Sequence, residues 1–281
     1  MGKFARTWQL MGASWQLLKQ DKRLVVFPLI SGVVLALVIA SFAIPMFADG
    51  EVHRYLSNPN HPSKQLYATG FLFYFISYFI MIFFNSALIA SVMKQMDGEQ
   101  TTLGDGLSFA WQRLPQIFGW ALLSSTVGFL LRLLEQRVGF IGRIAVGLLG
   151  MAWTVTSFLV LPVVVAEGSG PIEAYKQSVS MLKRTWGEQI IGNVSFGLIF
   201  ALFGVVPAII VLLLAAAAGP VVLMALVVIV AIYLVALGLV QSTLQTIYQV
   251  AVYRYAADGQ APSGFDGQLI ADTFRVKQPK D

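Results

Sequence analysis

Residues 19–47 read KQDKRLVVFPLISGVVLALVIASFAIPMF. Three cations, Lys19, Lys22 and Arg23, stand just before Leu24, and no charged residue occurs from Leu24 to Phe47. A helix rises about 1.5 Å per residue, so this run is long enough to cross the ~30 Å hydrocarbon core of a bilayer. Backbone amides in hydrocarbon must be paired within the segment, which makes the run a helix. It is longer than the apolar core of a typical secretory signal, so a retained span is expected. Cleavage among the small residues from Ala43 to Ala48 is the alternative, and it would remove that span.

The same reading extends outward along the chain. Apolar runs predict six spans, at 24–47, 66–93, 114–134, 144–166, 190–214 and 220–253. The fifth and sixth are divided by Gly219-Pro220, a break that sets proline at a helix start. Pro162 is expected to kink the fourth. Composition agrees: 57% of residues are apolar and 12% charged, where a soluble domain carries about 25% charged. A single membrane domain over 1–257 and a tail over 258–281 follow.

Fourteen of the 19 Lys and Arg residues fall before the first span, between the second and third, between the fourth and fifth, and after the sixth. The positive-inside rule then sets both termini in the cytoplasm. A net charge of +5 distributed beside spans points to anionic lipid head groups rather than nucleic acid. The chain has no cysteine, so disulfides, thiolate catalysis and Cys-based metal sites are excluded.

Three of the cytoplasmic segments carry helical apolar stripes. Phe4, Trp8, Met11, Trp15 and Leu18 recur at steps of three and four within 3–20. Leu103, Leu107, Ala110, Trp111 and Leu114 form a second stripe. Ile172, Tyr175, Val179, Leu182 and Trp186 form a third. Trp8, Trp15, Trp111 and Trp186 lie in these segments, and tryptophan favours the membrane interface. The expectation is three interfacial helices, each preceding a transmembrane hairpin, in a threefold internal repeat.

Residues 245–259, QTIYQVAVYRYAADG, with PSGF at 262–265 and Phe274-Arg275, resemble the tail of a bacterial and archaeal family of uncharacterised membrane proteins. The head, WQLLKQDKRLVVFPLISG at 15–32, resembles the same family. LPVVVAE at 161–167 followed by PIEAYKQS at 171–178 is similar to the wider group of glycerophosphodiesterase membrane-domain-like proteins. The resemblance implies a multi-span membrane protein and carries over no catalytic residue; the expected residence is a bacterial inner membrane.

Polar residues at membrane depth are the remaining candidates. Gln241, Gln245 and Gln249 stand four apart on one face of the sixth span. They would line a polar path, or hydrogen-bond between helices as the chain nears the cytoplasm. Asn85 in the second span, Ser124 to Thr126 in the third, and Thr154, Thr156 and Ser157 in the fourth read first as packing contacts. No span centres an Asp, Glu, Lys or Arg, which argues against a proton-coupled pump. Asp49, Glu51, His53 and His61 share a loop, but their spacing matches no metal motif, and Asn58-Pro59-Asn60-His61-Pro62 reads as turns.

The expected fold is therefore an all-α integral membrane protein of six transmembrane helices in three hairpins, each with its interfacial helix. The expected role is non-enzymatic, without cofactor or metal. It binds membrane lipids, or a second copy or another membrane protein, and organises the bilayer. A channel or transporter along the sixth span is the alternative.

Overall fold

The computed structural model describes residues 3–48, 64–184, 200–213, 219–259, 262 and 265. Among these residues every regular element is helical: α1 (Lys3–Gln20), a 3-10 turn (Lys22–Val25), α2 (Val26–Ala48), α3 (Lys64–Met96), α4 (Leu103–Gln112) and α5 (Leu114–Arg137) come first. They are followed by α6 (Phe140–Thr156), α7 (Val160–Glu167), α8 (Pro171–Arg184), α9 (Phe200–Leu213) and α10 (Pro220–Asp258).

Five of these stretches are long and apolar enough to cross a membrane: α2 with the turn before it, α3, α5, α6 together with α7, and α10. Their outer faces carry large bare side chains, including Leu37, Phe140, Ile141, Val221 and Met224. Water would make such surfaces a large aggregation liability, whereas hydrocarbon is their natural solvent. The described residues are those of an all-helical, multi-pass membrane protein. Of the run at 190–214, residues 200–213 form the shorter apolar helix α9, and the rest lies outside the described residues.

Local chemistry explains where the helices stop. Asp21 ends α1 and folds the chain into the 3-10 turn: its carboxylate accepts from the Arg23 backbone N–H at 3.0 Å and from Arg23 Nε at 2.8 Å. Such an Asp-centred turn replaces helical bonding locally. At the end of α3, Gly98 takes φ 82°, a conformation that glycine adopts at least cost. The Glu99 N–H then closes onto the Lys94 carbonyl at 3.0 Å, in the manner of a Schellman cap. Thr102 and Asp105 open α4 with a capping box, each side chain accepting from the other's backbone N–H. Gly219 precedes Pro220 at the start of α10, as expected, and Gly259 at φ 70° closes it.

The fourth span departs from expectation. It is not one helix kinked at Pro162 but two helices, α6 and α7, parted at residues 157–159. Proline clashes with the carbonyl four residues before it. Pro162 therefore expels the helix around Phe158, while Pro162 itself sits in the first turn of α7, where its missing N–H costs nothing.

The packed faces of the amphipathic helices lie beside their aromatic stripes. In α1 the buried line is Leu10, Ser14, Leu17 and Leu18, while Trp8 and Trp15 stay exposed. In α4 it is Gly106 and Ala110, and in α8 it is Ala174, Ser178 and Leu182. Small residues let these helices sink against their neighbours, and the aromatic stripes are displaced to the flank.

The helices group into two packed units. One comprises Val26–Ser91 and Thr101–Ser180; aromatic rings of α3 mesh with α5 there, Phe75 against Phe118 at 5.2 Å and Phe71 against Phe129 at 5.4 Å. The other comprises Met1–Val25, Val92–Gln100 and Met181–Asp281, and its described helices are α1, the end of α3, the end of α8, α9 and α10.

Candidate functional site

In the second of these units, α1 presents two faces. Leu10, Ser14 and Leu17 are buried, whereas Trp8 is 56% and Trp15 41% exposed. Trp8, Met11, Gly12 and Trp15 recur at helical spacing and form one wall of a groove. The opposite walls are Phe200 and Phe203 of α9, with Leu237, Val240 and Leu244 of α10. The groove encloses about 570 Å³, within the range of small-molecule sites. Its lining is aliphatic and aromatic, and it runs along two turns of both α1 and α10.

Gly12 shapes it. No atom lies within 4 Å of the point where a Cβ would stand on Gly12. The absent side chain therefore leaves a gap in the stripe between Trp8 and Trp15. Opposite, α9 and α10 are drawn together. A Cβ on Gly204 would stand 2.9 Å from Leu237, so the glycine permits that approach.

The α9 wall contains a repaired defect. Pro207 has no N–H and cannot bond the carbonyl of Phe203, four residues earlier. The Tyr233 hydroxyl of α10 donates to that carbonyl at 2.7 Å. An orphan carbonyl in hydrocarbon would be costly, and this bond fixes Phe203 beside the groove.

Polar contacts at one end hold α1 and α10 to a shared anchor. The Gln95 side chain at the end of α3 donates to the Leu17 carbonyl of α1 at 3.0 Å. Arg254 of α10 pairs with Asp97, beside the Gly98 turn. At the same end of α1, Lys19 Nζ stands 5.6 Å from the centre of the Trp15 ring, a cation–π distance.

The polar residues singled out in the sequence have less to bring together. Gln241, Gln245 and Gln249 lie along α10, each half-buried, a partial turn round the helix from the groove residues Val240 and Leu244. Asn85 belongs to α3 in the other unit, where it is half-buried and engaged by a neighbour. Trp111 is 67% exposed on α4, with its ring edge-on to Phe83 at 6.4 Å. Trp186, the loop acids and histidines from Asp49 to His61, and most of the 258–281 tail lie outside the described residues.

The groove itself was not expected from the sequence. Trp8, Met11 and Trp15 were legible as a stripe, but their partners on α9 and α10 stand some 200 residues away. The available signal was Gly12, a missing side chain in the middle of an aromatic stripe.

Within the first unit, the other repaired break lies between α6 and α7. The Ser178 hydroxyl of α8 donates to the Thr156 carbonyl at 2.7 Å and accepts from the Leu159 N–H at 3.2 Å. Tyr175, one turn earlier, meets the Thr156 hydroxyl at 3.0 Å and stacks on Trp153 at 5.2 Å, which stacks on Trp120 at 5.7 Å. These contacts close the gap.

A family of unknown function (DUF6159) matches the chain over residues 65–265. That range takes in the resembling stretches at 161–167, 171–178 and 245–259, and leaves out the one at 15–32. No curated protein and no solved structure matches the chain.

Proposed function

The chain belongs to the family of unknown function DUF6159, and from its own residues we propose that it is a lipid-binding integral membrane protein without enzymatic chemistry, which organises the bilayer around it. The observation that carries this reading is the apolar groove beneath the tryptophan face of α1. A lipid acyl chain is the occupant whose chemistry matches a lining of aromatic rings and aliphatic side chains beside an exposed interfacial helix. Nothing in that lining acts as a nucleophile or a general base.

The arrangement we propose has six spans in three hairpins, both termini in the cytoplasm, and residence in a bacterial inner membrane. Support for the sixth span comes from the apolar helix α9 and the apolar residues before it in sequence. Support for the orientation comes from the distribution of Lys and Arg. A second copy or another membrane protein is the partner class that the bare helical faces would accommodate besides lipid.

Brominated acyl chains test the groove, because bromine quenches tryptophan fluorescence at contact. Purified chains keeping Trp8 or Trp15 as the sole tryptophan should be strongly quenched in bromolipid vesicles. Gly12→Leu should fill the gap and reduce that quenching while the helix content is kept, since leucine suits a helix better than glycine. Quenching no greater than for a water-exposed tryptophan would overturn the reading.

The channel alternative rests on the half-buried row Gln241, Gln245 and Gln249. Robust solute or ion flux in proteoliposomes, abolished by replacing all three with leucine, would favour it.

A further inference from the structure

We infer that the groove selects an anionic phospholipid, with Lys19 holding the phosphate of a lipid whose acyl chain lies against Trp15. The inference rests on the groove being a lipid site and adds the class of head group. Trp15 lines the groove and its ring lies 5.6 Å from Lys19 Nζ, so the ammonium stands within one ring's reach of the apolar wall. That juxtaposition of a fatty slot and a cation is the shape of a phospholipid's own division between chain and phosphate.

The surrounding charges make the end of α1 attractive to an anion. No Asp or Glu occurs from Met1 to Gln20. Asp21, the first acid, is occupied by Arg23, which bonds both of its oxygens, at 2.8 and 3.1 Å. Among the described residues no carboxylate pairs with Lys19, which remains exposed. Lys22 is exposed as well and adds a second charge one turn along. These cations directly precede an apolar run in sequence, so they belong at head-group depth, where a single Lys contributes about fivefold to the attraction of an anionic surface.

A zwitterionic lipid would bring its own cation to this place and gain less. Free phosphate would meet the same ammonium but leave the apolar slot unfilled, so it should bind far more weakly than the lipid.

The test compares two brominated lipids at equal mole fraction in phosphatidylcholine vesicles, using the full chain with Trp15 as its only tryptophan. Brominated phosphatidylglycerol should quench Trp15 with about fivefold higher apparent affinity than brominated phosphatidylcholine. Lys19→Gln should abolish the preference, and Lys19→Arg should keep it. Inorganic phosphate at millimolar concentration should not relieve the quenching. Equal quenching by the two lipids would overturn the head-group inference while leaving the groove as a lipid site. Quenching by neither would overturn both. If the single-tryptophan chain does not fold, the lipid that copurifies with the native chain and with its Lys19→Gln variant gives the same answer. An enrichment of anionic lipid that Lys19→Gln removes is expected, and identical lipid composition in the two would overturn the inference.

Discussion

Gly106 and Gly12, which belong to different units, do opposite things. In the unit of Val26–Ser91 and Thr101–Ser180, Gly106, Gly119 and Gly128 are seats for Phe27, Pro171 and Tyr74, and a Cβ on any of them would stand 3.1 Å or less from the seated side chain. In the other unit Gly12 faces open space, and that space is the groove. The same residue type seats a neighbour at Gly106, Gly119, Gly128 and Gly204 and leaves a gap at Gly12. What differs is whether a large side chain arrives from the neighbouring helix. On the proposed reading the first unit would be the scaffold and the second would carry the lipid.

Proline gives a parallel contrast. Pro162 follows a break between two helices and Pro207 sits inside the continuous helix α9, and each defect is met by a hydroxyl from another helix. Ser178, which mends the first, is fully buried and serves both an N–H and a carbonyl. Tyr233, which mends the second, is 41% exposed and serves one carbonyl.

Three substitutions would break or sharpen this comparison. Gly106→Leu should have the largest effect, because its Cβ would collide with Ser91, with Phe27 and with the Ala87 carbonyl at 2.9 Å. Backbone cannot yield as a side chain tip does, so a loss of about 3 kcal/mol or more is expected, measured as a fall in thermal midpoint in detergent. An unchanged midpoint would show that the scaffold is not tightly seated at all.

Ser178→Ala comes next. It strips partners from the Leu159 N–H and the Thr156 carbonyl, and each unmet buried group costs about 1–3 kcal/mol. Hydrogen exchange at Leu159 should accelerate together with the loss of stability. Slow exchange there would mean that the break is held by something other than α8.

Tyr233→Phe should be the mildest, near the average of about 0.6 kcal/mol for a hydrogen bond between membrane helices. Its diagnostic value is the rescue. Pro207→Ala returns an N–H to the Phe203 carbonyl, so the double variant should recover what the single one loses. Absence of any rescue would refute the account of the α9 defect.

How much of this was legible in the sequence varies with the range of the interaction involved. The spans were legible because hydropathy is a property of each segment alone, and α3, α5 and α10 begin within two residues of their expected starts. The turn at Gly219-Pro220 was legible for the same reason. The aromatic stripes of α1 and α4 were legible as exposed, interfacial faces, but the opposite, packed faces of α1, α4 and α8 were not, because small residues carry no hydropathy signal. In a bilayer exposed aromatics carry little cost, and close packing favours small residues such as Ser14, Gly106 and Ser178 instead. The displaced break before Pro162 was foreseeable from proline's clash with the fourth preceding carbonyl. The groove needed the meeting of α1 with α9 and α10, which no local pattern encodes.

The order in which the groove's walls are made has a consequence for synthesis. Trp15 leaves the ribosome long before Leu244, and at roughly 5–20 residues per second the interval is on the order of ten to forty-five seconds. Throughout that time the protein partners of the tryptophan face of α1 do not yet exist. If α1 rests at the interface as proposed, the last helix closes over a surface that lipid already wets. On the proposed reading, a lipid in the groove would be acquired as the protein is built, and its later turnover would be governed by how readily α1 parts from α10.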